Sequence, residues 1–137
     1  MPHTFIHPEG WVPPKGYANG VVAKGRMLFT GGIVGWDNTQ AKPTFPPTFE
    51  AQFEQAISNV LTVVRTAGGK PEDIVRMTVY VTDKREYHAS LKAIGATWRK
   101  HLGKHYPAMA LVQVAALVDE GAKVEIETTA VLEEATP

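Results

Sequence analysis

Asp73-Ile74-Val75-Arg76-Met77-Thr78-Val79-Tyr80-Val81-Thr82 alternates, with Val75, Met77, Val79 and Val81 on one face of an extended chain and Arg76, Thr78, Tyr80 and Thr82 on the other. A period of two with one apolar and one polar face predicts a half-buried β-strand, whose apolar face needs a cover. The flanking segments supply it. Upstream, Phe49, Phe53, Ile57, Val60, Leu61 and Val64 recur at helical intervals until Gly68-Gly69, which predicts a helix over 48–67. Downstream, Tyr87, Leu91, Ile94, Trp98 and Leu102 step by three or four, which predicts a second amphipathic helix over 84–102 that stops at Gly103. Gly95 falls inside it, where glycine costs roughly 1 kcal/mol against alanine, and is expected to permit close packing.

Further out, 20–24 and 27–31 are apolar runs separated by Gly25-Arg26, a pattern that predicts a hairpin. A loop with Trp36, Asp37, Asn38, Phe45 and three prolines fills 35–47. After Tyr106-Pro107, the segment 108–117 is nearly all apolar on both faces, and Asp119-Glu120-Gly121 makes a turn. The stretch 124–132 then places Val124, Ile126, Thr128 and Ala130 on one face and Glu125, Glu127, Thr129 and Val131 on the other. The order is β-β-α-β-α-β-β, an α+β domain spanning 1–137. Two helices can cover only one face of its sheet, whereas 108–117 requires burial on both. The economical cover for the second face is another copy of the same chain.

Composition narrows the function. Fourteen Lys and Arg cancel fourteen Asp and Glu, and no basic run is long enough to track phosphates, so nucleic acid is not expected as a partner. Cysteine is absent, which excludes disulfides, thiolate metal sites and thiol nucleophiles. The N-terminal residues lack the pattern of a signal peptide, and no stretch approaches the roughly 18 apolar residues of a membrane span. A soluble, cytoplasmic protein with no membrane partner is expected. His101 and His105 are four apart, but Gly103 interrupts the helix and no third ligand is evident, so neither a metal nor a cofactor is expected.

Several stretches in order resemble the Rid family, the YjgF-type proteins also described as L-PSP endoribonucleases: Gly16-Tyr17-Ala18-Asn19-Gly20-Val21, Leu28-Phe29-Thr30-Gly31-Gly32, the strand from Asp73 to Asp83, Tyr106-Pro107-Ala108, Val112-Gln113-Val114-Ala115-Ala116-Leu117 and Val124-Glu125-Ile126-Glu127. The resemblance runs from about residue 16 to 132. It implies a chorismate-mutase-like α+β fold, with two helices on one face of the sheet and a trimeric barrel on the other. It also implies three clefts between subunits, which in active members hydrolyse reactive enamines and imines such as 2-aminoacrylate to keto acids and ammonia.

That chemistry requires an arginine to grip the substrate carboxylate and a carboxylate to position water. In deaminating members the arginine follows Pro-Ala, in a Pro-Ala-Arg-Ser type motif. Here Met109-Ala110 follows Pro107-Ala108, Gly31 stands at the serine of the Ser-Gly pair, and Leu91 stands where the second helix often carries asparagine. Tyr17 and Glu125 match the family. The resemblance therefore makes Glu125 and Tyr17 the candidate catalytic residues and Met109, Ala110, Gly31 and Leu91 the candidate substrate-binding residues.

The leading expectation is a divergent homotrimer that binds a small molecule between subunits, with weak or absent imine deaminase activity. One alternative is a hydrolase or deaminase of an altered enamine or imine, using Glu125 and Tyr17 and drawing a cation such as Arg26, Arg99 or Lys104 from a neighbouring subunit. Another is a protein-interaction or chaperone-like trimer. Loss of the arginine favours neutral or aromatic ligands, with Glu125 as the polar anchor.

Overall fold

The computed structural model describes residues 3–134, which form β1 (His3–Ile6), β2 (Gly20–Ala23), β3 (Arg26–Phe29), β4 (Ile33–Val34), α1 (Phe49–Thr66), β5 (Ile74–Val81), α2 (Lys84–Ala89), α3 (Leu91–Leu102), β6 (Ala108–Gln113) and β7 (Val124–Leu132). The main sheet runs β3-β7-β5-β6, with β4 continuing the β3 side of β7. β5 and β6 are parallel and joined through the helices, as a parallel pair requires, while β7 is antiparallel to β3, β4 and β5.

α1 forms because its apolar residues repeat on one face and its ends are capped: Thr48 Oγ1 accepts from the Ala51 N–H at 3.2 Å. Phe53, Ile57, Leu61 and Val64 from that face meet Met77, Val79, Val124 and Ile126 from the sheet, all at most 2 % exposed. Each such side chain contributes about 1.5–3 kcal/mol on burial. The opposite face of the sheet carries Phe29, Thr78, Tyr80, Glu127 and Val112, and no helix lies over it among the described residues. No helix among the described residues is long and apolar enough to cross a membrane.

The α+β architecture agrees with expectation, but its details depart from the predicted ones in several places. The runs around Gly25 do not pair with each other: β2 pairs with β1, and β3 pairs with the far end of β7, from Arg26↔Leu132 to Phe29↔Thr129. Gly25 packs so closely on the Leu132 carbonyl that a side chain there has no room. Both β1 and β4 are additional strands.

The other departures concern ends and registers. A register shift between Ile74 and Arg76 makes Ile74 the fully buried residue in place of Val75. The second helix breaks at Ser90, which ends α2 through its N–H to the Tyr87 carbonyl and starts α3 by accepting from Ile94. β6 stops at Gln113 rather than continuing to 117. Its partner β5 ends at Val81, Asp83 caps α2, and Gln113 Oε1 accepts from the Lys84 N–H, so the ladder has no further rungs beyond Val114 N–H to Val81 O. Gly95 is not a point of helix contact, because the one atom within 4 Å of its would-be Cβ is Arg99 Nη1.

Candidate functional site

Two backbone contacts hold the loop before β2 against β6: the Ala18 N–H donates to the Pro107 carbonyl at 2.9 Å, and Ala18 bridges Ala108. Tyr17 is thereby placed beside Met109. Met109 is in register with Met77 and so shares the helix-facing side of the sheet. Where α2 and α3 overhang this edge strand they leave a cleft of about 350 Å³. Met109, Leu111 and Val79 line its sheet side, and Tyr87, Ile94 and Trp98 its helix side. Tyr17 and Leu91 also line it and remain 43 % and 51 % exposed.

One aromatic wall is held rigidly. The Trp98 and Tyr106 rings lie parallel within 5° at a centroid separation of 5.9 Å, an offset stack. Trp98 Nε1 donates to the His105 carbonyl at 2.8 Å, and His105 Nε2 in turn lies 2.6 Å from the Ile74 carbonyl oxygen. A wall fixed at both ends in this way holds its shape before any ligand arrives.

The remaining three candidates stand elsewhere. Alternation on β6 turns Ala110 to the uncovered face, in register with Thr78. Glu125 pairs with Tyr80 and Val34 between the core residues Val124 and Ile126, so it too faces away from α1. Its carboxylate lies against Gly32, where a side chain would displace it. Gly31 adjoins that glycine, its carbonyl accepting from Thr30 Oγ1 at 2.8 Å. Tyr17, Met109 and Leu91 thus share one cleft, whereas Glu125 and Ala110 belong to the other side of the sheet and Gly31 lies in the connection between β3 and β4. Beside Glu125, Tyr80 donates to Glu127 at 2.7 Å, and the neighbouring carboxylates raise its phenol above the usual value.

The cations also divide. Arg26 is on β3, at the opposite edge of the sheet from Met109, and its Nε donates to the Glu133 carbonyl. Lys104 lines a second hollow of about 620 Å³ beneath the β1–β2 pair, together with His7, Asn19 and His105. Arg99 reaches back over Gly95, which lines the first cleft. Lys15 lines that cleft as well, and sequence reasoning passed over it. Its proximity to Tyr17 in the chain was the available signal. His101 Nε2 faces Glu54 Oε2 at 3.1 Å while His105 faces Ile74, so the two histidines do not converge. No group of three or more metal-ligating side chains of the His, Cys, Asp and Glu types occurs among the described residues.

Comparison with known proteins extends these observations. The family model described as "Endoribonuclease L-PSP" matches residues 11–132. The chain is 34 % identical over 116 residues to the 2-iminobutanoate/2-iminopropanoate deaminase of Escherichia coli K12, covering 78 % of this chain and 80 % of that one. Among solved structures it resembles the Rid-family protein YyfB of Yersinia pestis, described as of unknown function, with 32 % identity, a TM-score of 0.83 and coverage of 96 % of this chain and 100 % of that one. It also resembles E. coli TdcF, solved with bound serine, with 31 % identity, a TM-score of 0.68 and coverage of 89 % and 91 %. With nearly the whole length matched in sequence and in fold, the chain belongs to the Rid family, the YjgF-type proteins of the L-PSP endoribonuclease model.

Proposed function

We propose that this protein is a divergent Rid-family homotrimer that binds a small molecule in clefts completed between subunits, and that its imine deaminase activity is weak or absent. The observation that carries this reading is Met109 on the sheet side of the aromatic cleft, at the position where deaminating members of the family have arginine. A thioether offers neither charge nor a forked pair of donors to a substrate carboxylate. Glu125 supports the intersubunit part of the reading. It faces away from Met109 within one chain, so a site using both draws Glu125 from a second copy. The uncovered face also presents Met27, Phe29 and Val112, respectively 60 %, 66 % and 42 % exposed, an apolar surface suited to burial against other copies.

The experiment is to measure ammonia and 2-keto acid release from freshly generated 2-aminoacrylate. Release at the background rate supports the reading, and rapid turnover overturns it. Met109→Arg alone is expected to restore little, because Leu91, Gly31 and Ala110 also differ from the deaminating pattern.

A further inference from the structure

Gly95 sits in the middle of α3, where the absence of a side chain weakens a helix, yet no neighbouring element packs into the space it leaves. The nearest occupant is Arg99 Nη1, 3.3 Å from where a Cβ would stand. The guanidinium therefore folds back along the helix over a residue that lines the aromatic cleft. Lys15 lines the same cleft from the loop that holds Tyr17. Among the described residues neither cation forms a salt bridge, and no carboxylate of the same chain lines the cleft. The interior is a different environment: it is walled by the Trp98–Tyr106 stack, Tyr87 and Ile94, and its volume of about 350 Å³ exceeds what a three- or four-carbon imino acid fills.

We propose that the cleft selects an aromatic carboxylate, with the ring against the Trp98–Tyr106 wall and the carboxylate between Lys15 and Arg99. This rests on the small-molecule-binding reading above and names the ligand class. Placing the anion beside flexible, exposed cations spares it the desolvation that a place beside Met109 would impose. The expectation of neutral or aromatic ligands followed from the loss of one arginine, whereas Lys15 lines this cleft and Arg99 reaches over Gly95 beside it.

Calorimetric titration with three probes tests the assignment: 3-phenylpropanoate, its neutral amide of the same shape, and propanoate, which keeps the charge without the ring. The phenyl acid should bind about tenfold more tightly than either of the others, between the effect of an exposed ion pair and that of a charge-assisted hydrogen bond. Lys15→Met and Arg99→Gln should each bring the affinity for the acid down towards that for the amide, and a far-ultraviolet circular dichroism spectrum that matches wild type shows that the variants are folded. Equal binding of acid and amide, or variants with undiminished preference, would overturn the carboxylate assignment, and propanoate binding as tightly as the phenyl acid would overturn the aromatic one; each leaves small-molecule binding in place. If none of the three binds, the assignment is overturned, and retention of some other ligand class then decides the broader reading separately.

Discussion

Replacing Val112 with glutamate separates folding from assembly. Val112 is opposite Tyr80 on the uncovered face and 42 % exposed in the single chain, so a carboxylate there keeps much of its water before association. Its effect on folding of one chain should stay within about 0.5 kcal/mol, as for other surface changes. In the proposed trimer the same position is shut against another copy, where an unpaired charge costs about 3–5 kcal/mol. That is more than a hundredfold, approximately, in association constant for each site affected. Light scattering on a sizing column at micromolar concentration should give wild type at three times the chain mass of 15.0 kDa and Val112→Glu at the chain mass. The far-ultraviolet circular dichroism of the two should coincide. A wild type at 15.0 kDa, or a variant that keeps the wild-type mass, would refute the assignment of this face.

Three further outcomes test the account of the fold. Gln52 is 1 % exposed and clips two loops to α1, its Nε2 donating to the Pro46 and Gly121 carbonyls and its Oε1 accepting from the Lys123 N–H. Gln52→Ala should cost about 3 kcal/mol or more in urea unfolding because it strands buried backbone groups, and a loss below about 1 kcal/mol would contradict this. Gly95→Ala should raise the melting temperature by about 3–5 °C through helix propensity, with only a slight shift of the Arg99 guanidinium, and a fall in melting temperature would contradict it. Lys100 and His101 hold Glu54 below its ordinary value of 4.5, so the carboxylate stabilises the fold above that pH and loses its effect as pH falls through the lower folded-state value. Glu54→Gln should therefore flatten the acid limb of stability by less than about 1 kcal/mol, since the pair is partly exposed, and an unchanged pH profile would rule out the linkage.

Much of this molecule was legible because its periodicities are local. The recurrence from Phe49 to Val64 gives α1 within a residue at each end, and the alternation in β5 identifies Met77, Val79 and Val81 as core. Pairing is not local, and the reading failed there: the segments flanking Gly25 were legible as strands, but their partners β1 and β7 lie far away in the chain. The bulge that exchanges Val75 for Ile74 leaves no mark on composition. Resemblance located Tyr17, Met109 and Leu91, which share the cleft. It also named Glu125 and Gly31, and alternation along β7 already separated Glu125 from Val124 and Ile126. The relation of that face to Met109 required the β5–β6 register, which no single strand reveals. Lys15 carries no periodic signal because it belongs to a loop.

The most direct test of the central claim is the kcat/KM for release of ammonia from 2-aminoacrylate, measured beside the E. coli 2-iminobutanoate/2-iminopropanoate deaminase that this chain resembles. A charge-assisted contact contributes about 1.5–3 kcal/mol and the orientation of the substrate adds to it, so the account predicts a value lower by about a hundredfold or more. A value within about tenfold of the deaminase would contradict it, because Met109 would then not have removed the group on which the chemistry depends.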